Sequence, residues 1–139
     1  EGQIDDTLQF HHHLLQIDTS NIQAMERALR VYNGKPLINS VNGKQEVMEA
    51  VFPLVKRYGG VVVALALDED GIPETADGRL KVAEKIYAKA SEYGIERKDI
   101  VIDALCMTVS SDSRGAITTL ETVRRVRDEL CGKTILGVS

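Results

Sequence analysis

The chain has 139 residues, 43% of them hydrophobic and 27% charged, with a net charge of −4 at pH 7. This suits one soluble domain with a sizeable core, while the negative charge excludes a general binder of nucleic-acid backbones and 4% aromatic residues without tryptophan leave no base-stacking surface. No apolar run reaches the ~20 residues of a membrane span, no secretory leader is visible, and two cysteines without metal-ligand spacing, Cys106 and Cys131, point to a reducing cytoplasm.

Residues 1–13 carry Asp5 and Asp6, then His11-His12-His13, with no clear period; they are read as an N-terminal arm left by cloning, and residues 14–139 as the domain. Consecutive histidines point in different directions in a strand, so the run is not read as a metal site. A short apolar run from Leu14 then delivers Asp18, Thr19 and Ser20 where a helix should begin. Ser20-Asn21-Ile22-Gln23 has the form of a capping box, Ile22, Met25, Ala28 and Leu29 make an apolar stripe at helical spacing, and Gly34 is expected to end that helix.

A second strand runs from Pro36 to Ser40, and Asn42-Gly43 opens a helix with Val47, Ala50, Val51, Leu54 and Val55 on one face before Gly59-Gly60. Val61 to Leu67 is uniformly apolar, as a strand covered on both sides should be. Asp68 to Gly78 reads as a polar loop, followed by a helix from about Arg79 to Tyr93 with Leu80, Val82, Ala83, Ile86, Tyr87 and Ala90 turned inward, stopped by Gly94. The fourth strand, Ile100 to Ala104, leads into a loop rich in Ser and Asp from Leu105 to Ala116. Thr118-Thr119-Leu120-Glu121 then reads as a capping box for a helix with Leu120, Val123, Val126, Arg127 and Leu130 on one side, ended by Gly132 and followed by a fifth strand from Thr134 to Ser139.

Strands and helices alternate strictly, which the right-handed crossover rule assembles as a parallel α/β sheet. Two folds remain open: a portion of an eight-stranded (β/α) barrel, or an open doubly wound sheet. Neither a dinucleotide fingerprint nor a phosphate-binding lysine loop follows any strand. In either fold the C-terminal ends of the strands form the ligand rim, so Asp18, Asn39, Asp68 and Asp103 are the candidates. Carboxylates and an amide suit a flat heterocycle with an amidine-like edge and a ring carbonyl. The competing reading is that an Asp at a strand end merely caps the next helix, which applies most to Asp68 and least to Asp18, placed before its own capping serine.

Ile17-Asp18-Thr19-Ser20, Leu37-Ile38-Asn39-Ser40-Val41-Asn42, Ile102-Asp103 and Leu136-Gly137-Val138-Ser139 resemble successive strands of the pterin-binding methyltransferases. Arg57-Tyr58-Gly59-Gly60 and Asp68-Glu69-Asp70-Gly71-Ile72-Pro73 are similar to segments of the same family. The family comprises the methyltetrahydrofolate-binding domain of cobalamin-dependent methionine synthase and the methyltetrahydrofolate:corrinoid/iron-sulfur protein methyltransferase. The resemblance implies a TIM (β/α)₈ barrel of which this chain supplies about strands three to seven. It also implies a pterin held by Asp18, Asn39 and Asp103, with no catalytic residue or metal ligand assigned here. The Asn that assists protonation at pterin N5 would come one residue after Ser139, and the residue after Asp103, usually Pro in relatives, is Ala104.

The same resemblance implies binding of methyltetrahydrofolate as substrate, with methyl transfer to a corrinoid (cobalamin) carried by a partner domain. The parent protein would then be a cytoplasmic methyltransferase that meets neither nucleic acid nor membrane. The alternatives are a dihydropteroate synthase-like pterin enzyme and a non-catalytic barrel portion. Cys106 is read as a loop or core cysteine rather than a nucleophile. Five strands cannot close a barrel, so the first and fifth are expected to keep unpaired edges, and the chain alone is expected to be inactive and to form a homo-oligomer through those edges.

Overall fold

The computed structural model describes residues 8–11, 14–105 and 113–136. Within them one six-stranded sheet runs in chain order: β1 (Leu8–His11), β2 (Leu14–Asp18), β3 (Leu37–Asn42), β4 (Val61–Leu65), β5 (Ile100–Asp103) and β6 (Lys133–Ile135). Helices α1 (Ile22–Val31), α2 (Gln45–Tyr58), α3 (Ala76–Glu92) and α4 (Ser113–Glu129) fill the connections between the strands from β2 onward. Strands β2 to β6 run parallel to one another.

A parallel sheet whose order never reverses has no topological switch point, so the doubly wound alternative falls away. Crossovers of one hand then lay the helices on one face, where α1 touches α2, α2 touches α3 and α3 touches α4. This is the wall of a (β/α) barrel, a partial TIM barrel.

Alternation along each strand sorts the side chains. Ile17, Ile38, Val62, Ile100 and Ile102 enter the core beneath the helices, where they meet Met25, Met48, Val51, Phe52, Leu80, Ile86 and Val126. The residues between them, Asp18, Asn39, Val63, Val101 and Asp103, belong to the other face, so β-periodicity alone delivers the polar groups to the barrel's interior side.

Several expectations are corrected. Leu8–His11, inside the segment read as an arm, forms a strand antiparallel to β2 in the register Leu8↔Ile17 to His11↔Leu14, so the edge of β2 is occupied rather than unpaired. Asn21, not Ser20, caps α1, accepting from the amides of Gln23 and Ala24 at 3.0 and 3.1 Å. The helix also ends at Val31, ahead of Gly34, with Tyr32 already extended. Thr75 caps α3, which begins at Ala76 rather than near Arg79.

The last helix starts at Ser113, so Thr118 lies in its interior and no capping box forms there. Its buried face is Thr119, Thr122 and Val126, continued by Leu130 just past its end, while Leu120 is 62% exposed. The threonines can turn inward because each hydroxyl bonds back to a helix carbonyl, Thr119 to Gly115 at 3.0 Å and Thr122 to Thr118 at 2.7 Å. The expected strand to Ser139 is described as Lys133–Ile135; Ser139 itself, Cys106 and most of the loop after β5 lie outside the described residues. Among the described residues no helix is long and apolar enough to cross a membrane.

Candidate functional site

β2 and β3 pair so that Asp18 and Asn39 are direct partners. The chain beyond Asp18 is held without help from its carboxylate. Thr19 donates its amide to Asn39 O at 3.1 Å, and its hydroxyl accepts the Asn21 amide at 3.0 Å. Capping of α1 therefore falls to Thr19 and Asn21, and the exposed Asp18 side chain is left at the mouth of a cleft of about 570 Å³. Asn39, Ser40, Asn42 and Glu46 line the same cleft, which reaches from Leu65 over the strand ends to the N-terminal halves of α1 and α2 at Ile22, Met25, Val47, Ala50 and Val51. A polar rim over an apolar floor is what a small organic ligand requires.

Just past Asn39 the register of β3 against β4 shifts, so that Asn39 pairs with Val63 but Val41 with Ala64. The shift places Asn42, Leu65 and Asp103 in the next polar row, two residues nearer the C-terminal rim. Asp103 is 9% exposed and does not line the cleft; Leu65 stands between it and Asn42. At ~4.8 Å per strand and ~3.3 Å per residue, its Cα lies roughly 12 Å from that of Asn39. One Asp103 oxygen accepts the Leu105 amide at 2.9 Å, which turns the chain back into the loop beyond β5.

Asp68 has a local task. Its backbone exchanges both hydrogen bonds with Gly71, at 3.1 and 2.9 Å, and its carboxylate accepts the Asp70 amide at 3.0 Å. It closes a tight turn and does not cap the next helix. That turn presents Glu69, which sequence reasoning missed: it accepts the Gln45 amide at the start of α2 at 2.7 Å and the Lys85 ammonium at 3.1 Å. Two loops of the rim and α3 are thereby tied together.

The Gln45 amide, then its own backbone and Lys85, pull the Glu69 carboxyl down to about 2 from its usual 4.5. A depressed carboxyl contributes stability that is fully present above pH 4.5 and lost as pH falls through 2. Glu69→Gln is therefore expected to flatten the pH dependence of stability between 4.5 and 2. Urea midpoints measured across that range check it, and an unchanged acid limb in the variant would contradict it.

Arg79 is the second residue missed. It is 4% exposed, and its guanidinium donates to Pro73 O at 2.9 Å, Ala104 O at 3.0 Å, Leu105 O at 3.1 Å and Thr119 Oγ1 at 3.2 Å. The signal was present: Arg79 falls on the stripe shared by Ala83, Ile86 and Ala90, and a charge on an apolar stripe calls for a buried set of acceptors. Among the described residues no three of His, Cys, Asp and Glu come together as metal ligands.

A family model described as "Pterin binding enzyme" matches residues 3–139, and so spans both the cleft and Asp103. The methionine synthase of Mycobacterium leprae (strain TN) is 28% identical over 136 residues, covering 90% of this chain. The methionine synthase of Mycobacterium tuberculosis (strain ATCC 25618 / H37Rv) is likewise 28% identical over 136 residues and 90% of this chain. The chain spans 11% of the length of each of these relatives.

Proposed function

We propose that this chain, which belongs to the family of pterin binding enzymes, grips a reduced folate by its pterin ring and presents the folate's methyl group to a corrinoid. The observation that carries this reading is the side-by-side placement of Asp18 and Asn39 on one cleft at the C-terminal end of the parallel strands. Asp103, beyond Leu65, would take the far edge of the ring. A separation of roughly 12 Å between Asn39 and Asp103 suits a flat two-ring heterocycle with a hydrogen bond at each end. The likeness to methionine synthases supports a folate methyl donor.

The chemistry fits these groups. A methyl group leaves a tertiary amine readily only if the nitrogen gains a proton as the carbon–nitrogen bond breaks; otherwise an amide anion would form. A corrinoid, carried by a partner domain docking over the rim, would supply the nucleophile. The residues of this chain orient the ring: carboxylates accept from its amidine-like edge, and the Asn39 amide both donates and accepts. In this reading Asp18, Asn39 and Asp103 bind substrate, and none is a nucleophile or a metal ligand. The parent protein would be a folate-to-corrinoid methyltransferase of the cytoplasm.

The competing chemistry on such a site is condensation of a pterin with an aminobenzoate, as in dihydropteroate synthase. Assaying the full-length protein with both substrate sets decides between them. Methylcobalamin formation from methyltetrahydrofolate is expected; dihydropteroate formation without methyl transfer would reverse the assignment.

A further inference from the structure

We infer that Arg79 is a positioning residue for substrate binding, acting through Asp103 from the opposite side of the loop beyond β5. This rests on the reading of Asp103 as a pterin contact.

Two of the residues that bind Arg79 are those directly after Asp103. Asp103 is anchored on one side by its backbone carbonyl, which accepts the Ala66 amide at 3.1 Å, and on the other by its carboxylate, which accepts the Leu105 amide. Leu105 itself stands at φ 62, a left-handed conformation that a branched side chain keeps only where its surroundings enforce it, and its amide lies in one rigid peptide plane with the Ala104 carbonyl. The enforcement comes from Arg79, whose one terminal nitrogen takes the carbonyls of both Ala104 and Leu105. Thr119 adds to it by accepting from Arg79 at 3.2 Å, its own hydroxyl proton being committed to Gly115 O. The Arg79 Nε meanwhile holds Pro73 O, so the β4 loop and the β5 loop share one fastener.

A guanidinium suits this role because its fixed, planar donors reach several carbonyls at once, and it stays charged at every relevant pH. A lysine could reach one or two of them and would leave the rest buried and unmet. If the Ala104–Leu105 peptide loses its hold on Arg79 and turns, its amide leaves the Asp103 carboxylate, and that carboxylate is free to rotate away from the ring it should meet. The residue is therefore expected to govern affinity without touching the folate.

The test is a double-mutant cycle on the full-length protein, with methyltetrahydrofolate titrated calorimetrically into wild type, Arg79→Lys, Asp103→Asn and the double variant. Thr119→Val serves as a milder substitute for Arg79→Lys if the lysine variant does not fold. Arg79→Lys is expected to weaken binding about tenfold in the wild-type background and to have little further effect once Asp103 is already Asn, because it acts through that side chain. Equal losses in both backgrounds, or no loss in either, would overturn the inference while leaving the assignment of Asp103 standing. Unchanged affinity in Asp103→Asn itself would overturn both.

Discussion

Replacing Asp103 by Asn in the full-length protein is expected to weaken methyltetrahydrofolate binding by about 2 kcal/mol, roughly thirtyfold. A carboxylate can accept two N–H bonds from an amidine-like edge while still holding the Leu105 amide at 2.9 Å. An Asn keeps one oxygen for that amide, so the turn after β5 should survive. Its other atom is a donor, which faces the donors of the pterin edge and leaves a mismatched pair in a site that is 9% exposed. The loss should therefore appear in affinity far more than in stability. Calorimetry with a parallel urea titration separates the two, and a thirtyfold loss accompanied by wholesale destabilisation would mean that Asp103 is chiefly structural.

Gly132→Ala is expected to destabilise the protein by about 3 kcal/mol. The position looks like a helix terminator, yet the left-handed residue after α4 is Cys131, at φ 54. Glycine is needed at 132 for space: a Cβ there would overlap the Tyr87 hydroxyl and lie 3.1 Å from Val126 Cγ1. Tyr87 has little freedom to retreat, being 4% exposed on α3 with the Arg97 guanidinium 4.7 Å from its ring centre. Its hydroxyl is buried without a hydrogen-bond partner among the described residues, so Tyr87→Phe alone should be close to neutral. Adding Tyr87→Phe to Gly132→Ala should recover at least half of the lost stability, because the worst overlap goes with the hydroxyl. Additive denaturation free energies in the double variant would contradict the steric account.

Pattern made the parallel α/β repeat legible, since the apolar, β-branched run from Val61 reads as a strand covered on both faces, although the strand stops at Leu65 rather than Leu67. The polar residues at the strand ends could likewise be read directly, and the structure sets Asp18 beside Asn39. What could not be read is how the loops share the remaining work. Asp68 is the strand-end carboxylate most open to a local reading, but the expected helix cap does not form: its carboxylate is turned back on the Asp70 amide, a choice made by the Asp68–Gly71 turn. Capping boxes misled twice because Ser, Thr and Asn compete for the same amides: Asn21 won over Ser20, and Thr118 is overrun by a helix beginning at Ser113. Leu8–His11 carries no period long enough to announce a strand; it exists by pairing with β2. Arg79 and Glu69 acquire their partners only when loops distant in sequence meet.

The most direct test of the proposed site is calorimetric titration of methyltetrahydrofolate into the full-length protein and its Asn39→Ala variant. The described contacts that Asn39 makes for the fold come from its backbone, which accepts the Thr19 amide and pairs with β2 and β4, so removal of its side chain should leave the barrel wall intact. The prediction is saturable binding with one folate per protein, weakened at least tenfold in the variant. Absence of binding to the wild type, or equal affinity in the two proteins, would contradict a pterin site built on Asp18 and Asn39.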